Sequence, residues 1–145
     1  MTRDSGSVVY ELALLPHLCE LYLRTGRSAE AGQHLVQARN ILSGSADWAA
    51  LLGDLLLAEG LVFSDQGLWN EAEGAFQTAI ENYQMFELPW DEARACYEWA
   101  VALMGAQEDV SHASRPRDLL QKALSLWEPM GASLYADRCR ARLGQ

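Results

Sequence analysis

The chain repeats its own pattern of large and small residues at a distance of 41 positions. When it is shifted by that distance, seven positions match in character, and at one of them a turn glycine falls on another. The first copy is Leu15, Cys19, Tyr22, Gly26, Ala31, Leu35 and Ala38, and the second is Leu56, Gly60, Phe63, Gly67, Ala72, Phe76 and Ala79. A repeat of this length is typical of stacked helix pairs. Such a stack exposes one concave surface that usually binds other molecules.

Composition and charge narrow the classes of partner. The 145 residues are half hydrophobic, which suits a folded helical domain, and the formal net charge is −9. Because nucleic-acid affinity depends mostly on clustered Lys and Arg, we expect no direct binding of nucleic acid and none of acidic membranes. We expect residues 1–6 to be a disordered tail and residues 7–145 to form a single helical repeat domain.

Cysteine use and hydropathy indicate a cytoplasmic protein. The three cysteines are far apart and lack a Cys-x-x-Cys spacing, so we interpret them as reduced core thiols. The opening residues MTRDSGS contain no apolar secretory core, and no apolar run of 18 residues occurs. The sequence therefore predicts neither a leader nor a membrane span.

Apolar residues at spacings near 3.6 predict seven helices. Glycines and Pro129 end helices, whereas Pro89 and Pro116 begin them, because proline lacks only a donor that the first turn does not use. The predicted helices cover residues 7–25, 28–43, 47–66, 70–85 and 89–104, then a helix from 116 that Pro129 breaks, and 133–143. A longer polar loop over 105–115 joins the fifth and sixth helices.

Small residues mark where helices approach closely. We expect Ala31, Gly60 and Ala72 to lie at such contacts, with Leu35 and Phe76 filling the adjacent space. The alternation from Gly60 to Ala79 resembles a tetratricopeptide repeat, although the spacing here is 40 to 44 residues rather than about 34.

Two further segments, 88–103 and 119–143, resemble one subclass of these repeats. They are similar to the C-terminal repeats of large bacterial MalT-like and LuxR-family ATP-dependent transcription regulators and of related ATPase-coupled cyclases, including the turn Met130-Gly131-Ala132. The resemblance implies an all-α, right-handed superhelix of about three helix pairs plus a C-terminal capping helix. It also implies a regulatory scaffold, with any ATPase or output domain outside this chain, since no phosphate-binding Gly-x-x-x-x-Gly-Lys loop is present.

The repeat register predicts a partner-binding face. If the first helix of each pair lines the concave side, Glu20, Arg24 and Arg138 lie at its ends. The predicted partner-binding residues between them are Asp54, Leu57, Leu61, Asp65, Arg94, Tyr97 and Val101. Apolar anchors with flanking charges suit a peptide or helix groove. The alternative is that this mixture is a solvated or self-filled face.

We therefore predict a non-catalytic module that binds a protein or peptide, with self-association as a further expectation. The alternative function is sensing of a small-molecule effector, which the resemblance to effector-responsive regulators implies.

No pattern of catalytic or metal-ligating residues contradicts this prediction. The three histidines are scattered, and neither the paired acids nor the cysteines have the spacing of metal ligands. We therefore expect no enzyme activity, cofactor or metal. The histidines and paired acids considered are His17, His34, His112, Glu71, Glu73, Asp91 and Glu92. The acids lie in helix first turns, where the helix dipole explains them. We expect the fifth tryptophan, Trp69, to be partly exposed. The four that we expect in the core are Trp48, Trp90, Trp99 and Trp127.

Overall fold

The computed structural model describes residues 14, 17–43, 49, 51–106 and 114–144, and this part of the chain is all-α, with seven helices and no strand. We name the helical residues 17–24 α1. The others are α2 (Ser28–Ser43), α3 (Leu52–Asp65), α4 (Trp69–Met85), α5 (Pro89–Gly105), α6 (Ser114–Trp127) and α7 (Ser133–Leu143). The predicted all-α class is confirmed.

The chain divides into two compact units, Met1–Asn82 and Tyr83–Gln145. The boundary falls in the last turn of α4. The first unit holds α1, α2, α3 and most of α4, and the second holds α5, α6 and α7.

In the first unit α2 packs on α3. The core here consists of the buried residues Cys19 of α1, Ala31, Leu35 and Ala38 of α2, and Leu55, Ala58 and Val62 of α3. A Cβ added to Gly60 of α3 would lie 2.9 Å from two ring carbons of Phe76 on α4. The expected close approach at Gly60 therefore exists, and a bare glycine is what permits it.

A side chain of α4 holds the beginning of α3. The buried Asn82 accepts a hydrogen bond from the Gly53 amide at 2.9 Å and donates one to the Ala49 carbonyl at 3.3 Å. The N-cap residue of this helix is Leu51, whose side chain makes no capping hydrogen bond. Asn82 thus satisfies one amide that a local cap would otherwise serve.

Helix ends in both units share one turn geometry. Gly67 is left-handed (φ 74°), its amide bonds the Ser64 carbonyl at 3.1 Å, and the next amide bonds Phe63 at 2.9 Å. This is a Schellman turn, which favours glycine because a Cβ is strained there. Gly26 and Gly131 repeat it, whereas Glu87 occupies the same position at the end of α4 with φ 54°.

In the second unit α6 packs against both α5 and α7. Its core is made of the buried residues Ala93, Ala95, Cys96, Trp99, Ala100, Leu120, Ala123, Trp127, Ala136 and Cys139. Beside it the buried carboxylate of Glu92 pairs with Lys122 at 3.3 Å and accepts a hydrogen bond from Gln84 at 2.8 Å. A buried carboxylate is tolerated because it is paired in this way.

Most helix limits agree with the sequence within one residue. Two beginnings differ: α3 begins at Leu52 rather than at Asp47, and α6 begins at Ser114, which places Pro116 within its first turn. Proline is accepted there because the first turn uses no amide donor. The predicted tail over 1–6 and most of the loop over 105–115 lie outside the described residues. No helix in the described part is long and apolar enough to cross a membrane.

Candidate functional site

The predicted partner-binding residues lie on two helices of different units. Asp54, Leu57, Leu61 and Asp65 form a stripe along α3, and Arg94, Tyr97 and Val101 form one along α5. Both stripes follow steps of three and four residues, which place side chains on one face of a helix.

The α3 stripe is only partly accessible. Asp65 is exposed, and Asp54 and Leu61 are half-buried. Leu57 is 1% exposed and is a core side chain. The expectation that Leu57 is an accessible anchor is therefore corrected, because α3 is apolar around most of its circumference and buries this position too.

The α5 stripe meets charged and aromatic partners. All three of its residues are half-buried. The Tyr97 hydroxyl accepts a hydrogen bond from Arg142 Nε at 3.0 Å, and the guanidinium carbon of Arg142 lies 5.7 Å from the Tyr97 ring centroid. Desolvation raises the pKa of the nearby Asp91 carboxyl, and the positive charge of Arg94 opposes that shift.

Four rings from three helices come together around Trp127. We call Trp90, Tyr97, Trp127 and Tyr135 the aromatic cluster. The Trp127 centroid lies 5.8 Å from Trp90, 5.8 Å from Tyr97 and 5.1 Å from Tyr135. Trp90 meets Tyr135 edge to face at 4.8 Å. These separations are those of favourable ring pairs.

The cluster is buried at its centre and open at its edge. Trp127 is 1% exposed, and its Nε1 has no hydrogen-bond partner within the described part of the chain. Trp90 is 38% exposed, so the expectation that it is a core residue is wrong. Its place in the first turn of α5 lets the ring rest on Tyr135 while the other side stays open.

The other tryptophans behave as follows. Trp99 and Trp127 are buried as expected, and Trp69 is 37% exposed as expected. Trp48 lies outside the described residues.

Two arginines of α7 stand over the tyrosines of the cluster. The guanidinium carbon of Arg138 is 5.2 Å from the Tyr135 centroid, and Arg142 covers Tyr97. Both arginines are exposed. Stacking on a ring orients a guanidinium while its edge keeps donors for a carboxylate. The face formed by the α5 stripe, the aromatic cluster and these two arginines, which we call the α5–α7 face, is the candidate site.

Sequence reasoning assigned Arg94, Tyr97, Val101 and Arg138 to a binding face and did not assign Trp90, Tyr135 or Arg142 to it. A signal for these existed. Trp90 precedes Tyr97 by seven residues, and Arg142 follows Tyr135 by seven, so each pair shares a helix face. The sequence could not show that the two faces meet.

One of the remaining polar candidates, His34, contacts a neighbouring aromatic side chain. His34 stacks on Tyr22 with centroids 5.2 Å apart and bonds its hydroxyl at 3.2 Å. No group of three metal-ligating side chains occurs among the residues that the structure describes. His112 is not among those residues.

The cysteines are free and buried. Burial raises the pKa of each of the three thiols to about 11. A protonated, covered thiol is a poor nucleophile.

Comparison of the chain with family models, with curated proteins and with solved structures gives no significant match.

Proposed function

We propose that this chain is a protein-interaction module whose α5–α7 face binds a protein or peptide partner. The observation that carries the proposal is an exposed surface on which aromatic rings and oriented guanidiniums alternate. Trp90 is 38% exposed beside Arg138 and Arg142, which cap tyrosines of the same cluster. Aromatic residues and arginine are the side chains that most often dominate binding energy at protein interfaces.

The arrangement is also the one that a stack of tetratricopeptide-like helix pairs would use. We propose a right-handed superhelix of about three pairs with α7 as the terminal helix, in which first helices of pairs line the binding side. The repeated Schellman turns at Gly26 and Gly67 support the repeat. A regulatory scaffold in a bacterial signalling or transcription protein follows from the resemblance, with no direct contact to nucleic acid or membrane. The buried free thiols suit a reducing, cytoplasmic setting.

Position-specific cross-linking tests the proposal. A photoreactive phenylalanine derivative replaces Leu134, which is 60% exposed on α7, and the matched control replaces Gln121, which is exposed on α6. In cells, the probe at 134 should capture a defined protein, and the probe at 121 should not. Tyr97→Ala should reduce that capture while circular dichroism shows an unchanged helix content.

Two results would refute this assignment. One is equal capture from both positions, and the other is capture that a folded Tyr97→Ala variant leaves unchanged. Adding Leu61→Glu to Tyr97→Ala asks separately whether the α3 stripe contributes, since Leu61 is half-buried on a different helix.

A second candidate function, sensing of a small molecule, has one observation in its favour. The buried indole Nε1 of Trp127 has no hydrogen-bond partner within the described residues, and this donor is one that a ligand acceptor would satisfy. A thermal-shift screen distinguishes the two functions, because a binding metabolite raises the unfolding midpoint. A midpoint increase that Trp127→Phe abolishes would favour sensing.

A further inference from the structure

Arg138 and Arg142 are exposed cations on α7. Among the described residues no carboxylate lies within ion-pair distance of either one. Arg140, which lies between them in sequence, bonds Glu128 at 2.5 Å and Asp137 at 2.9 Å. Within the described part of the chain, one arginine of α7 is therefore paired twice, by Glu128 before the helix and by Asp137 within it, and Arg138 and Arg142 are left without a carboxylate.

This arrangement is notable in an acidic chain. The sequence has 20 acidic and 11 basic residues, so carboxylates are plentiful. Arg138 and Arg142 are instead fixed on tyrosine rings, and Arg142 spends one donor on the Tyr97 hydroxyl. A guanidinium carries five N–H donors in a fixed fork, so both arginines keep donors that can bind a carboxylate through two parallel hydrogen bonds.

Exposed apolar side chains lie beside these charges. Leu134 is 60% exposed and precedes Arg138 by one helical turn, and Met130 is 41% exposed in the turn before α7. Trp90 touches Tyr135, over which Arg138 stands. A partner that fits this surface must carry apolar and acidic groups together.

We propose that the α5–α7 face binds an acidic amphipathic helix. Two of its carboxylates, one helical turn apart, pair with Arg138 and Arg142, which are themselves one turn apart, or about 6 Å. An apolar side chain of the partner covers Leu134 and Trp90. This inference rests on the proposed interaction function and specifies the chemistry of its partner.

A nucleic acid or other polyanion fits less well. The chain carries a net charge of −9, which repels a long polyanion, and two arginines supply few phosphate contacts. A single helix with two carboxylates and apolar anchors brings less charge and uses the apolar part of the surface.

The test uses the full chain and a designed probe. The acidic probe is a fluorescent amphipathic helical peptide of about 15 residues with two Glu four apart beside Leu and Phe. The neutral probe replaces both Glu with Gln. Binding is measured by fluorescence anisotropy at low salt. We expect the acidic probe to bind at least about 5-fold tighter than the neutral one, as two exposed ion pairs allow.

Variants of the chain locate the binding. Arg138→Gln and Arg142→Gln should each weaken that preference and together remove it. Arg117→Gln on α6, which is exposed and removes the same single charge as each of them, should preserve it. Arg138→Glu with Arg142→Glu should reverse it toward a probe in which Lys replaces Glu. Circular dichroism and thermal unfolding verify that each variant is folded.

Three outcomes would overturn the inference. The first is equal binding of the acidic and neutral probes, and the second is no binding of either. The third is displacement of the acidic probe by a short single-stranded oligonucleotide at a lower concentration than the unlabelled acidic peptide needs. The proposed function is judged separately, since cross-linking from position 134 to a partner without paired carboxylates would preserve it and refute only the acidic specificity.

Discussion

Gly60→Ala should destabilise the first unit even though alanine is the better helix former. A Cβ at residue 60 would lie 2.9, 2.9 and 3.0 Å from three ring carbons of Phe76, whereas carbon atoms in contact prefer about 3.5–4.0 Å. The ring would have to retreat by about 0.5–1 Å. Phe76 is 0% exposed, so it has no free space to enter. Overpacking of this kind costs about 1–3 kcal/mol.

The gain in helix propensity offsets part of that cost. Replacing glycine by alanine inside a helix contributes about 1 kcal/mol, so the net destabilisation is about 1 kcal/mol. Gly74→Ala in α4 is the matched control, because an added Cβ there meets no heavy atom within 4 Å. That variant should be more stable than the parent by about 0.5–1 kcal/mol.

The informative quantity is the difference between the two variants. The gain in helix propensity is the same in both variants and cancels in this difference, so only the clash with Phe76 remains. The two variants should therefore differ by about 1–3 kcal/mol in the free energy of unfolding. Urea unfolding followed by circular dichroism should show midpoints about 1 M apart. If Gly60→Ala were stabilised as much as Gly74→Ala, the close contact with Phe76 would be refuted. Phe76→Leu added to Gly60→Ala should recover part of the loss.

Three other changes test separate features. Asn82→Ala should lower the free energy of unfolding by about 1–3 kcal/mol, because it leaves the buried Gly53 amide without its acceptor; a loss below about 0.5 kcal/mol would contradict that role. Glu87→Gly should raise the urea midpoint, since left-handed backbone costs a non-glycine residue about 1 kcal/mol, and an unchanged midpoint would count against strain at Glu87. Burial raises the pKa of the three thiols from 9.0 to about 11. The thiols therefore contribute stability that is complete below pH 9 and lost as pH rises toward 11. Ellman's reagent should modify them only after unfolding.

Local rules predicted most helix limits. Proline at the beginning of α5 and glycine after α1 and α3 act on backbone hydrogen bonds within four or five residues, so the sequence alone contains the information. Rules that use only the neighbouring four or five residues fail at Glu87. No local preference there predicts a left-handed residue, yet the turn has the same hydrogen bonds as the turn at Gly67.

Helical spacing predicts which residues share a face of a helix, but not which of them are accessible. Helical spacing placed Arg94, Tyr97 and Val101 on one stripe, because that spacing depends only on the helix. It could not decide between Leu57 and Leu61, since both lie on the same stripe of α3. Neighbouring helices decide which of the two is covered, and Leu57 is the covered one.

The sequence by itself therefore determined the helices, most of their limits, the repeated pattern of residues, the acidic charge and the buried thiols. Each of these depends on composition or on contacts close along the chain. Only the tertiary structure decided that Trp90, Trp127 and Tyr135 share one cluster and that α7 covers Tyr97 with Arg142. Those contacts join residues up to 45 positions apart, and their geometry depends on how whole helices pack rather than on any residue's own preference.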